Sequence, residues 1–121
     1  MLTLDTNILI YYSVGDKKIV DFLNSRRREM VYLPSIVAVE FLSYPLITPR
    51  DAVLFRSFVS QIIMTNLDFL IAESAADLKR NYKMRLADSV IAASALLTHS
   101  TLVTRNVRDF EKIKELDIIS P

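Results

Sequence analysis

Asp5, Glu40, Asp88 and Asp109 each stand just past or inside an apolar segment: Asp5 after MLTL, Glu40 within SIVAVEFL, Asp88 at the head of DSVIAASALL, and Asp109 in TRNVRDF. Taking a carboxylate out of water is costly unless it takes up a proton or meets a cation. A fold that gathers four such acids at one end of a sheet is best explained by bound metal ions, and that points to phosphodiester chemistry. In a two-ion site one ion activates the attacking water, and both stabilise the pentavalent phosphate and the leaving oxygen. A hard ion such as Mg²⁺ is bound through one or two carboxylates plus waters and substrate phosphate, so four acids serve one or two ions. Each acid also has a plainer reading. Asp88 reads as a helix N-cap, Asp5-Thr6-Asn7 as a capping turn, Asp109 as a solvated acid, and Glu40 as the partner of an arginine.

Composition narrows the ligand chemistry. The chain has no cysteine and a single histidine, His99, which excludes thiolate and histidine-rich metal centres and leaves oxygen donors. Absence of cysteine also fits a reducing compartment. A net charge of +1 gives no whole-molecule attraction to a polyanion, so local clusters must supply it. With 121 residues, one domain covering residues 1–121 is expected. The hydrophobic fraction of 51% exceeds what one core absorbs, so a homodimer or a dedicated protein partner is expected. The longest stretch without a charge, Ser89 to Thr104, carries serines, threonines and a histidine, so no membrane span is available. Met1 leads straight into a strand without signal-peptide regions, and a cytoplasmic protein is expected.

The elements that must position these acids follow from periodicity. Leu2–Leu4 reads as a buried parallel strand, which puts Asp5 at its carboxyl end, followed by the apolar turn ILIYY. A helix over 16–28, a strand over 30–33 and a helix over 36–43 carrying Glu40 come next. Thr48-Pro49 opens a helix through about residue 64, whose apolar band includes Phe55 and Phe58, two aromatics that cannot obviously both face the sheet. A strand over 69–71, helices over 72–83 and 88–98, a strand over 102–104, a helical turn at 112–113 and a last strand at 118–119 complete the chain. The alternation implies an α/β fold, a three-layer α/β/α sandwich on a parallel sheet. In such sheets the site lies beyond the strands' carboxyl ends, where strand order reverses.

LDTNILI, SIVAVEF, LADSVIAASAL and LVTRNVRDF, in that order, closely resemble the signatures of the PIN-domain family, and especially the toxin nucleases of VapBC toxin-antitoxin systems. The resemblance covers essentially the whole chain. It implies a PIN fold with Mg²⁺- or Mn²⁺-dependent endoribonuclease activity, an RNA substrate and a cognate antitoxin, the helical arm over 49–64 receiving a dimer mate or that antitoxin. Carried over position by position, the catalytic and metal-binding acids are Asp5, Glu40, Asp88 and Asp109. Asn106 is their polar partner, and Thr6, Asn7 and Thr104 are supporting residues. The chain departs from the family pattern where glycines often precede the fourth and last strands: those regions read THSTLV and KELDII.

Lys79, Arg80, Lys83 and Arg85 precede Asp88, and Arg105 and Arg108 flank Asp109, so these six are the candidate RNA-phosphate contacts. Arg26, Arg27 and Arg28 read as a solvated helix end. Two other functions compete. A PIN-like module that binds RNA or protein without cutting is separated by a nuclease assay with and without Mn²⁺. A phosphotransferase with a phosphorylated strand-end aspartate wants a second acid near Asp5 and a lysine after a late strand, whereas position 7 is asparagine.

Overall fold

In the computed structural model, which describes residues 1–121, a five-stranded sheet runs in the order β3-β2-β1-β4-β5 with every neighbouring pair parallel. The strands are β1 (Leu2–Leu4), β2 (Val31–Pro34), β3 (Ile63–Thr65), β4 (Thr101–Val103) and β5 (Ile118–Ile119). Six helices flank them: α1 (Thr6–Ser13), α2 (Lys17–Ser25), α3 (Ser35–Leu42), α4 (Pro49–Val59), α5 (Phe69–Tyr82) and α6 (Leu86–Leu97). β1 is central and buried at all three positions, which is why an unalternating LTL serves as a strand. Chain order runs outward from β1 in one direction to β2 and β3 and in the other to β4 and β5. The reversal therefore falls between β1 and β4.

α6 explains its own composition. Ala92, Ala93 and Ala95 have no exposed surface, and the helix packs against β1, β2 and β4 while α5 and α3 close over it. Small side chains let the backbones of four elements approach closely there. Its C-terminus ends in a Schellman turn: the Ser100 N–H donates to Ala95 O and the His99 N–H to Leu96 O. His99 takes the left-handed conformation this turn requires, at φ 52°. That is where THSTLV lacks a glycine, and histidine is among the residues that enter this region more readily than most. The left-handed turn is thus kept without the glycine.

Several boundaries depart from those predicted by periodicity. The segment Phe69–Ile71 is the first turn of α5, not a strand, because the Asp68 side chain accepts the Ile71 N–H and caps the helix. The helix opened by Thr48 and its capping box ends at Val59. Ile63 and Met64 instead pair with Tyr32 and Leu33 as the edge strand β3; their apolar run continues the helical pattern, and only the partner strand distinguishes the two. The apolar segment after Asp5 is a helix, α1, and the short helical turn lies at Val107–Asp109 rather than 112–113. No helix is long and apolar enough to cross a membrane.

Phe55 is buried, its ring 4.8 Å from that of Phe41 with the planes tilted by 41°, and Phe58 is half-buried. Both aromatics of α4 therefore serve the interior, contrary to the expectation that one stands exposed. The exposed apolar residues of this arm are Val53 and Leu54, joined by Val39 and Leu42 of α3. Phe55→Ala is expected to cost about 3–5 kcal/mol in urea unfolding, through lost burial plus the cavity left against Phe41. A loss below 1 kcal/mol would show that the pair is not packed as described.

Candidate active site

Asp5 leaves the end of β1 at the point where strand order reverses, and it is almost fully buried. Three donors hold its carboxylate. Oδ1 accepts the Thr6 N–H at 2.7 Å, and Oδ2 accepts the Asn7 amide at 3.0 Å and the Thr104 hydroxyl at 2.7 Å. Asp5 also N-caps α1, so the capping reading describes part of its role. The Thr6 hydroxyl donates to Glu40 Oε1 at 2.6 Å, tethering the second acid to the first. Glu40 is half-buried on α3. Thr104 accepts the Asn106 N–H at 3.0 Å, which fixes the turn leading to Asp109. The Asn106 side chain itself is exposed and makes no hydrogen bond, and Asp109 is exposed at the end of the short helical turn.

Asp88 is the third residue of α6, and the cap position is Arg85, with no side-chain cap bond. Its N-cap reading is therefore excluded. The first turn of a helix favours an acid by about 0.3–1 kcal/mol, yet the Asp88 pKa is pushed up to about 6. Burial is the first cause, and the charges of Asp5, Asp109 and Glu40 add to it, with Arg85 opposing. Burial likewise raises the Asp5 pKa, with Glu40 and Asp109 adding to the rise against the bonds from Thr104 and Thr6. The charges of Glu40 and Asp109 thus bear on both Asp5 and Asp88. No lysine or arginine forms an ion pair with any of them, which removes the arginine-partner reading of Glu40.

All-oxygen donors in an anionic cluster without ion pairs suit a hard divalent cation. No three of the carboxylates converge on a common ligating centre. Mg²⁺ does not need that, because it is bound through one or two carboxylates and retains several waters.

Arg105 was expected to contact phosphate, but its guanidinium is committed within the chain. Both terminal nitrogens donate to Asp16 at 3.0 Å, Nε donates to Pro121 O at 3.2 Å, and the group lies 4.4 Å from the Tyr11 ring centroid. Its main-chain N–H donates to Asn7 Oδ1 at 3.2 Å, so the residue also fixes the amide that holds Asp5. Asp16 and Tyr11 hold Arg105 in place with no local sequence signal, since Asp16 meets its partner 89 positions away. The bidentate bond to Arg105 holds the Asp16 pKa below the ordinary carboxylate value. A depressed pKa gives stability that is present above the ordinary range and lost as pH falls through the folded value. Asp16→Asn keeps the cap of α2, because asparagine caps as well as aspartate. The variant is expected to melt below wild type at neutral pH, and the gap is expected to close in acid. A gap unchanged by pH would assign the effect to the cap.

Among protein families, the PIN domain model matches residues 2–116. No curated protein matches the sequence. Among solved structures, the chain is similar to a toxin-antitoxin complex from Klebsiella pneumoniae, with 27% identity, a TM-score of 0.85, and coverage of 98% of this chain and 96% of that one. It is similar to FitAB bound to an IR36 DNA fragment, with 25% identity, a TM-score of 0.82, and coverage of 100% and 95%. It also shares its fold with VapBC2 from Rickettsia felis bound to a promoter DNA fragment, at 20% identity, a TM-score of 0.84, and coverage of 99% and 98%.

Proposed function

Because the chain belongs to the PIN domain family, we propose that it is a divalent-metal-dependent endoribonuclease and the toxin of a toxin-antitoxin pair. The observation that carries this reading is the four-acid cluster at the β1/β4 reversal, in which burial and the neighbouring carboxylates raise the pKa of Asp5 and Asp88 and no lysine or arginine forms an ion pair with any of the four. Asp5, Glu40, Asp88 and Asp109 would hold Mg²⁺ or Mn²⁺, as one or two ions, each through one or two of the carboxylates. A cation held there would supply a polarised water for attack on phosphorus and neutralisation of charge developing on the phosphate. The protein's own residues supply orientation. Thr6, Asn7 and Thr104 hold both oxygens of Asp5, and Thr6 keeps Glu40 beside it. The Asn106 side chain is exposed and its amide is not engaged within the chain, which leaves it free to meet substrate. Burial of Asp5 excludes water from one side of the site, which strengthens every charge interaction inside it.

The nuclease occupies residues 1–121 as one domain. An antitoxin is its partner, and the similarity to toxin-antitoxin complexes supports that assignment. A second copy covers the exposed Val39, Leu42, Val53 and Leu54. The activity is tested by incubating the purified protein with single-stranded RNA and with DNA of the same sequence, in Mn²⁺ and in EDTA. Metal-dependent cutting of RNA supports the reading; intact RNA in Mn²⁺ with a folded protein leaves only a binding module.

A further inference from the structure

Beside the acid cluster lies a cavity of about 220 Å³ whose wall is shared by Asp88 and Asp109 and by four cations, Lys83, Arg85, Arg108 and Lys112. The cations are exposed and none is engaged in an ion pair, although two carboxylates line the same space. They arrive from two separate segments: Lys83 and Arg85 from the short connection between α5 and α6, and Arg108 and Lys112 from the connection between β4 and β5. Lys83 is the C-cap of α5 and takes the left-handed conformation, at φ 54°, as is common where a helix ends. A polyanion that must approach four carboxylates needs positive charge next to them, and this cavity supplies it on the side of Asp88 and Asp109.

We propose that the cavity is a backbone-phosphate subsite for single-stranded RNA, holding a phosphate adjacent to the one positioned at the acids. The identity of the polymer rests on the nuclease reading above. Only part of the basic set identified in the sequence belongs to the subsite. Arg105 is held by Asp16, Arg80 pairs with Asp77, and Lys79 does not line the cavity. Lys112, which the motif spacing does not mark, joins it because the turn after Asp109 carries it back to the same wall.

The test measures binding of a labelled single-stranded RNA by fluorescence anisotropy across a KCl series. It uses the Asp5→Asn protein, which is expected not to cut, with and without Arg108→Gln and Lys112→Gln. Each phosphate contact on a single strand contributes about 0.7 to the slope of log affinity against log salt. Loss of two contacts is expected to flatten the slope by about 1.4 and to weaken binding most at low salt. Lys17→Gln with Lys18→Gln removes the same charge from α2 and is expected to leave the slope unchanged. Equal flattening by both pairs, or none from Arg108→Gln with Lys112→Gln, overturns the subsite. A flattened slope in a protein whose wild type never cuts RNA upholds the subsite and removes the nuclease reading. Cutting with an unaltered slope does the reverse.

Discussion

Asp5→Asn is expected to reduce RNA cleavage at least about 10³-fold, equivalent to about 4 kcal/mol of transition-state stabilisation. Removing an anionic ligand costs several kcal/mol when the cation is what stabilises the reacting phosphate. Local hydrogen bonding adds to the loss. Every group around the Asp5 carboxylate is a donor: the Thr6 N–H, the Asn7 amide and the Thr104 hydroxyl. An asparagine amide nitrogen must face one of those donors, so the new side chain cannot keep all three bonds. Glu40→Gln meets only the Thr6 hydroxyl, which can reverse its role. It should therefore lose activity with little change in fold. Single-turnover cleavage together with circular dichroism checks both variants, and cleavage within about tenfold of wild type by a folded Asp5→Asn protein would remove the site assignment.

Asp88→Asn is expected to change how stability depends on pH and on metal. An acid whose folded pKa is raised to about 6 stabilises the protein most below the ordinary carboxylate range, and that stability is lost as pH rises through the folded value. In EDTA, wild type should therefore weaken between roughly pH 4 and pH 6, and the variant should show a smaller decline, since the raised pKa of Asp5 remains. At neutral pH the metal-free variant should melt at or above wild type, because one of four mutually repelling charges is gone. Cation binding reverses the order. Wild type should gain about 2.7 kcal/mol when free Mn²⁺ is 100 times its dissociation constant, and the variant should gain little. Cation affinity in wild type should also fall as pH drops through about 6, since a proton on Asp88 competes with the metal. Thermal melts of both proteins over pH and Mn²⁺ concentration decide this, and an equal rise with metal in the two would show that Asp88 is not a ligand.

The parts of this fold that are legible in sequence are those where local chemistry and tertiary role coincide. LTL followed by Asp5 is readable because a three-residue apolar run buried on both faces needs no partner to be recognised as a strand. Glu40 is readable because an acid amid Ile36, Val37, Val39 and Phe41 demands a reason. Helix α5 was obscured at its start because Phe69 and Leu70 look like strand residues and are in fact exposed, 78% and 59%, on a helix capped by Asp68. β3 was obscured because an edge strand of three residues is defined by its pairing with β2, which no local pattern encodes. The same holds for the site's outer supports. Arg105 carries its signal in the TRN motif, but its partner Asp16 and the closing carbonyl of Pro121 are fixed only by the fold.

The claim that the four acids are one divalent-cation site is tested most directly by counting Mn²⁺ through the loss of its free-ion paramagnetic resonance signal. Wild type should bind one or two ions per chain in the range where cleavage appears, and Asp5→Asn should bind none there. Saturable binding that is identical in the two proteins, or cleavage by a wild type that leaves all Mn²⁺ free, would contradict the account.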